Sequence, residues 1–295
     1  VMDNVITDWS RIKGGEAINK MIDEMIAGFS FQNPAASVKP LVQLYISVSK
    51  LEDGLLKEQK LKEIQQLIEA CAGLYMEAVT VEPYAVQGDS LHVNLNVVNR
   101  GGLKLNLLST YMSNEQDAGV NKVDLAKNVV QRNVVSFVVP FTQPVSQPYW
   151  LVNVNPQGHF TVNDPLQIGK AQNDPAFTST FILEIEGTVF RFEKPVQYKF
   201  TDPVKGEIYW PLNVVPRVSL EVEPKTFITN GNITKTGTVQ LRSFTAINTK
   251  EITVNGQGSN GVISVPVPAG ESGPVMNANN EKNIPLIITK ENMKS

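Results

Sequence analysis

The spacing of apolar residues changes once along this chain, near Glu77. Before that point, apolar residues recur every three or four positions, which is typical of amphipathic helices. After it, apolar and polar residues alternate, which is typical of half-buried strands. A single change of period of this kind predicts a mainly β chain that is preceded by an N-terminal helical segment.

The predicted helical segment is 1–78, and its apolar stripes indicate about three helices. The stripes lie at 17–29, 41–51 and 61–71. Gly73 follows the last stripe, at a place where a left-handed C-terminal cap is common. Helices of this length form a small bundle or a layer that packs on another part of the protein.

The remainder is predicted to form two immunoglobulin-like β-sandwich domains in tandem, 79–215 and 216–295. Short alternating segments separated by turn residues are typical of a sandwich. Two segments, 91–97 and 103–107, flank a glycine-containing turn and are predicted to form a hairpin. Gly187 and Thr188 are predicted to form the turn of a second hairpin.

Composition excludes several classes of function. The formal net charge is -3, and lysine and arginine are scattered, so a nucleic-acid partner is not expected. No apolar stretch approaches the roughly 20 residues of a membrane-spanning helix. The single cysteine, Cys71, lies in an apolar helical stripe and is predicted to be a buried small hydrophobic residue. A first residue such as Val1 is typical of a fragment or a processed form.

Motifs for catalysis and metal binding are missing from the sequence. The two histidines, His92 and His159, have no companion at metal-ligand spacing, and neither HExxH nor GxSxG occurs. The glycine-rich segment 256–261 precedes the strand pattern 262–265 rather than a helix. A dinucleotide site needs a helix there, so this segment is predicted to be a hairpin loop. We therefore predict no catalytic and no metal-binding residue in this chain.

Aromatic residues are the stronger indication of a binding function. Tyr149 and Trp150 form one neighbouring pair, and Tyr209 and Trp210 form another. Flat exposed rings on a β-sandwich can stack on sugar rings, which makes these four residues candidates for glycan binding. The competing interpretation places Trp210 in a seam between domains and Trp150 in a sandwich core.

Several segments resemble the region that follows the catalytic domain in long bacterial deacetylases of the PIG-L (LmbE-like) family. The most specific is the segment YKFTDPVKGE at 198–207, which contains the turn residues Asp202, Pro203, Lys205, Gly206 and Glu207. Looser similarity covers 8–11, 71–74, 99–101 and 148–151. The resemblance extends over most of the chain but is strong only over about 195–216.

The resemblance implies that this chain is the non-catalytic accessory region of such an enzyme. In that family the catalytic domain carries a His-Pro-Asp-Asp zinc motif and removes an N-acetyl group from a sugar derivative with a metal-activated water. This chain contains no such motif, so zinc is expected only in a catalytic domain outside it. The implied partners are that catalytic domain or a glycan. The implied location is the periplasm or surface of a bacterium.

Two other functions remain open. A stand-alone carbohydrate-binding module predicts exposed, coplanar aromatic rings, whereas a structural surface-protein domain predicts neither exposed rings nor a large apolar patch. An accessory region predicts an apolar helical surface that another domain covers. The motif turn is predicted to be a structural corner, in which Asp202 caps local amides and Lys205 pairs with Glu207, or else a binding site.

Overall fold

The computed structural model describes residues 8–113, 122–156, 158–225, 235–248, 253–258, 261–266 and 275–288. Three α-helices lie in its N-terminal part: α1 (Glu16–Ala27), α2 (Val38–Ser49) and α3 (Leu55–Cys71). Strands dominate the rest of the described chain. The prediction of a mainly β protein with an N-terminal helical segment is therefore confirmed, whereas the tandem immunoglobulin-like arrangement remains a prediction.

The described strands follow the helices in chain order. They are β1 (Leu74–Thr80), β2 (Tyr84–Val86), β3 (Ser90–Asn99), β4 (Leu105–Met112), β5 (Val123–Asp124), β6 (Val130–Val138), β7 (Thr178–Ile185), β8 (Thr188–Asp202), β9 (Gly206–Pro211), β10 (Asn213–Val215), β11 (Val218–Glu223), β12 (Lys235–Ser243), β13 (Ile247–Asn248), β14 (Thr253–Gly258), β15 (Gly261–Pro266), β16 (Val275–Met276) and β17 (Glu281–Ile288).

The chain divides into two compact units that interleave in sequence. Unit 1 comprises Val1–Val81, His92–Val135 and Pro175–Pro211. Unit 2 comprises Glu82–Leu91, Ser136–Asp174 and Leu212–Ser295. The domain limits inferred from the sequence, after residues 78 and 215, remain predictions.

Unit 1 is built on an eight-stranded sheet with the order β5-β4-β7-β8-β1-β3-β6, in which β9 also pairs with β8. The long strand β8 joins the two parts of this sheet. Its first half pairs antiparallel with β7, and its second half pairs parallel with β1 and antiparallel with β9. The core contains large, fully buried side chains from these strands, among them Phe181, Phe190 and Leu95.

The predicted pairing of 91–97 with 103–107 is wrong. Strand β3 pairs with β1, whereas β4 pairs with β7 and β5. Asn99 determines the intervening path, because its side-chain amide donates to the carbonyls of Leu103 (2.7 Å) and Leu125 (2.9 Å). Its side-chain oxygen accepts from the Gly102 amide at 2.9 Å. The segment therefore carries the chain to another part of the sheet instead of reversing it.

The two other predicted hairpins are confirmed. Strands β7 and β8 form the first, but its turn lies one residue earlier than predicted: Glu186 and Gly187 form it, with φ angles of 49° and 74°, and Thr188 already pairs with Ile185. Two consecutive positive φ angles are typical of a type I′ turn, whose twist matches that of the flanking strands. Strands β14 and β15 pair antiparallel, so a strand and not a helix follows the glycine-rich segment, of which positions 259 and 260 lie outside the described residues.

The helices pack against the first half of β8. Helix α2 supplies most of the buried apolar side chains of the helical segment, and the ring of Tyr45 meets Phe190 with centroids 5.0 Å apart. Helix α3 adds polar contacts, since Glu69 pairs with Lys194 and Gln65 donates to the carbonyl of Arg191. As predicted, Gly73 ends α3 with a φ angle of 61°.

Unit 2 contains smaller sheets. Strands β11, β12 and β17 form one of them around a core of Val239, Leu241, Ile247, Met276 and Ile284. Strands β2 and β10 pair parallel in another. The Thr245 hydroxyl donates to the Asp89 carboxylate at 2.6 Å, which ties the loop before β3 to the segment after β12.

Candidate functional site

The hairpin of β8 and β9 carries most of the residues that the sequence singled out. At its tip, one Asp202 oxygen accepts from the Lys205 and Val204 amides, each at 2.8 Å, and these bonds lower the pKa of Asp202. Gly206 closes the turn with a φ angle of 79°. The predicted capping role of Asp202 is therefore confirmed, and the motif is the corner of a hairpin with Pro203 at its start.

The predicted pairing of Lys205 with Glu207 is wrong. Glu207 instead pairs with Lys199 on the neighbouring strand, at 3.1 Å. The register places Thr201 opposite Glu207, so Lys199 and Glu207 lie diagonally on the same face of the sheet. Lys205 lies in the turn between β8 and β9, outside both strands.

Tyr209 and Trp210 lie on opposite faces of this hairpin, because successive residues of a strand alternate. Tyr209 lies opposite Lys199, and Trp210 lies opposite Tyr198. The two predicted glycan-binding residues therefore belong to different surfaces. One surface is aromatic and the other is polar.

The aromatic surface consists of Tyr198, Phe200 and Trp210. The rings of Tyr198 and Phe200 stack at 5.1 Å with an interplanar angle of 18°. Trp210 meets Phe200 edge-on at 5.0 Å and 73°, and 57% of Trp210 is exposed. The rings are not coplanar, so they do not form the flat platform that the carbohydrate-module interpretation predicts.

The polar surface is centred on Glu77 of β1, whose side chain is only 11% exposed. Its Oε2 accepts hydrogen bonds from the hydroxyls of Tyr75 (2.7 Å) and Tyr209 (3.0 Å). Its Oε1 accepts from the amide of Asn96 at 2.8 Å. The Lys199 ammonium lies 3.3 Å from Oε2. One carboxylate thus connects four side chains from four neighbouring strands.

Protonation within this network follows from its contacts. Burial raises the pKa of Glu77, but the hydrogen bonds from Tyr75, Asn96 and Tyr209 and the charge of Lys199 outweigh burial, so the net pKa lies below its ordinary value. Burial lowers the pKa of Lys199, yet its bonds to Tyr209 and the two carboxylates raise it overall. Burial and the bonds to Tyr209 and Glu77 raise the pKa of Tyr75. The network therefore joins a protonated Tyr75 to the opposite charges of Glu77 and Lys199.

Two arginines extend this surface. Arg132 of β6 donates from Nε to the side-chain oxygen of Asn96 at 3.2 Å. The Arg100 guanidinium lies 4.8 Å from the centre of the Tyr75 ring, in a cation–π contact. We use the name polar face for the set Tyr75, Glu77, Asn96, Arg100, Arg132, Lys199, Glu207 and Tyr209.

Sequence reasoning found only Tyr209 and Glu207 among the polar-face residues. One signal could have indicated the centre: Glu77 is the only charged residue in β1, between Met76 and Ala78, which are both buried. A charge in such a strand is expected to have partners. Apart from Tyr75, its partners lie 19 to 132 positions away in the sequence, and a single sequence does not reveal them.

The other predicted aromatic pair lies in unit 2. Tyr149 and Trp150 belong to a short 3-10 turn, and their rings meet at 4.9 Å and 90°. The Tyr149 amide donates to the Asn173 side chain at 3.0 Å, and its hydroxyl donates to the Lys170 carbonyl at 3.2 Å. The hydroxyl is thus engaged within the loop, and the two rings are perpendicular rather than coplanar.

The helical segment carries an open apolar groove of about 410 Å³. We call it the apolar groove and define it by Trp9, Ile22, Ile26, Leu41, Leu67 and Cys71. Ile26 is 71% exposed and Leu67 is 51% exposed. Two charged residues also line the groove, Lys60 and Glu63, and they pair with each other at 2.6 Å. The groove therefore offers an almost purely apolar surface.

Metal ligands do not cluster in the part of the chain that the structure describes: no three His, Cys, Asp or Glu side chains there lie close enough to share an ion. His92 and His159 are both exposed. Burial raises the pKa of the Cys71 thiol. Among the same described residues, no helix is long and apolar enough to cross a membrane.

No known protein family matches this chain, and no curated protein matches it. Among solved structures, it is similar to red sea bream transglutaminase, with a TM-score of 0.32 and 11% identity over 82% of this chain and 30% of that enzyme. The chain therefore spans less than a third of that protein. It is also similar to a protein of unknown function from Porphyromonas gingivalis W83, with a TM-score of 0.24 and 9% identity over 73% of this chain and 83% of the other. Likenesses at these scores do not identify a family.

Proposed function

We propose that this chain is the non-catalytic accessory region of a PIG-L-like deacetylase that acts on N-acetyl sugars, and that its helices brace the catalytic domain. The observation that carries the proposal is the apolar groove. Large apolar side chains such as Ile26 and Leu67 contribute roughly 1.5–3 kcal/mol each when they pass from full exposure to burial. A contiguous exposed group of them is typical of a surface that another domain covers.

The chemistry of the apolar groove favours a protein surface over a sugar. Sugars need hydrogen-bonding partners, whereas the two charged residues that line the groove, Lys60 and Glu63, are engaged with each other. The zinc ion and the catalytic residues belong to the catalytic domain in this proposal. By the same resemblance, we place the protein in the periplasm or on the surface of a bacterium.

A stand-alone carbohydrate-binding module is the second candidate, and the exposed ring of Trp210 is the observation that favours it. The perpendicular rings around Trp210, and those of Tyr149 and Trp150, argue against a stacking platform. A purely structural surface-protein domain is the least favoured function, because it accounts for neither the apolar groove nor the exposed tryptophan.

The first test is the genomic reading frame upstream of Val1, followed by expression of the whole encoded protein. We expect a domain with a His-Pro-Asp-Asp motif in that frame. We further expect Cys71, which lines the apolar groove, to be alkylated more slowly in the whole protein than in the present chain. A frame without such a domain, or equal alkylation rates, would contradict the proposal.

Groove variants provide a second test. Ile26→Glu and Leu67→Glu place a charge on exposed groove positions, so they should leave the fold of this chain intact. They should weaken the binding of this chain to the catalytic domain, because a charge would then be buried in the interface. Leu55→Glu is the matched control, because Leu55 is 81% exposed on the same helical segment and does not line the groove. Deacetylation by the whole protein should fall with the first two variants and not with the third.

A further inference from the structure

We propose that the polar face binds a neutral oligosaccharide that lies across the strands of unit 1. This proposal is independent of the apolar groove, and it differs from a module built on Trp210 because it uses the opposite side of the hairpin. Its residues come from β9, β8, β1, β3 and β6, and from Arg100, which directly follows β3.

The polar face extends across five strands of the sheet. The five strands are neighbours in the sheet, in the order β9-β8-β1-β3-β6. Four spacings of about 4.8 Å give a width of roughly 19 Å. A surface of this width accommodates a chain of several sugar rings rather than a single small molecule.

The central network fixes the orientation of the groups that would contact such a ligand. A mostly buried ion pair such as Glu77 and Lys199 gains little stability relative to a well-packed apolar pair, because desolvation offsets its Coulomb attraction. It does, however, hold the Tyr75 and Tyr209 hydroxyls and the Lys199 ammonium in defined positions. Groups that are fixed before binding lose less conformational entropy when a ligand arrives.

The charge pattern determines the class of ligand. From β9 to β3 the charge alternates, in the order Glu207, Lys199, Glu77 and Arg100, and Arg132 of β6 adds a further positive group. An acidic polymer would meet two carboxylates, and an apolar partner would leave charged groups without solvent. Sugar hydroxyls both donate and accept hydrogen bonds, so they match a surface on which donors and acceptors alternate.

The test uses affinity electrophoresis of the whole chain on neutral polysaccharides (glucan, xylan and mannan) and acidic ones (polygalacturonate and chondroitin sulfate). Calorimetry with oligosaccharides of the best ligand then measures affinity. The informative variants are Arg132→Ala and Glu207→Gln, because both residues are exposed and each removes one ligand-facing group. We expect each to weaken binding about fivefold or more, the loss that defines an energetically important contact.

Two controls match these variants. Arg191→Ala removes an exposed arginine from the first half of β8, outside the polar face, and Trp210→Ala alters the opposite side of the hairpin. Both should bind the oligosaccharide normally, and unfolding curves should show every variant to be folded. Ile26→Glu should also bind normally, which separates this proposal from docking at the apolar groove.

Three outcomes overturn the proposal. They are the absence of binding to every neutral polysaccharide, stronger binding to the acidic polymers, and loss of binding in Trp210→Ala while Arg132→Ala and Glu207→Gln bind normally. The last outcome would assign sugar binding to the aromatic surface.

Discussion

Replacing Glu77 by alanine should lower the stability of unit 1 by about 2 kcal/mol at pH 7. The size of this loss follows from the contacts that each partner of Glu77 keeps in the variant. Tyr209 and Lys199 keep Glu207 as a partner, and Tyr75 keeps its 3.1 Å contact with Tyr209. The loss therefore consists of the acceptor of one buried Asn96 amide group and one partly screened charge pair.

The effect of the Glu77→Ala substitution should depend on pH. Because the pKa of folded Glu77 lies below its ordinary value of 4.5, the ionised carboxylate contributes stability above that value. The contribution is lost as the pH falls from about 4.5 through the folded pKa. The difference between the native chain and the variant should therefore be largest at neutral pH and shrink in acid.

Urea unfolding followed by circular dichroism at pH 7 and pH 3 measures this difference. Glu193→Ala is the matched control, since Glu193 is an exposed carboxylate on β8 and its removal should change stability little. A Glu77→Ala loss below about 0.5 kcal/mol at pH 7, or an equal loss at both pH values, would show that the network does not act as described.

Three further predictions concern packing, backbone conformation and reactivity. Phe181→Ala should cost about 3–5 kcal/mol in urea unfolding, because the Phe181 ring is fully buried. Gly73→Ala should destabilise the protein more than Gly187→Ala, although both glycines have positive φ angles. A Cβ at Gly73 would lie 2.7 Å from the Gly101 nitrogen, whereas nothing lies within 4 Å of a Cβ at Gly187. Thermal unfolding of both variants tests this, and equal losses of stability would refute it. Cys71 should react with a disulfide reagent at pH 8 more slowly than a free cysteine, because burial raises its pKa, and a rate equal to that of free cysteine would contradict this.

Short-range patterns predicted the elements of this protein well. The three apolar stripes correspond to α1, α2 and α3, and Gly73 ends the last helix as expected. The hairpin at Glu186 and Gly187 and the capped turn at Asp202 follow from local backbone chemistry. These features depend on residues within a few positions of one another, so one sequence is sufficient to predict them.

Strand pairing and the candidate site depended on contacts between distant residues. Strands β3 and β4 each show the alternation expected of a strand, but alternation does not specify a partner, and Asn99 directs the chain elsewhere. Strand alternation alone separates the rings of Tyr209 and Trp210, but the register of β9 on β8 decides that they lie opposite Lys199 and Tyr198.

Residue spacing was sufficient for the class of the fold and for its helices and turns, because the period of apolar residues reflects local geometry. The polar face arose from the order and register of strands, which bring Glu77 to Tyr209 across 132 positions. The exposure of Ile26 and Leu67 likewise depended on which side of each helix packs against another element. Which residues are buried and which residues they contact are properties of the folded chain. The local pattern permits many strand pairings equally, and long-range packing selects among them.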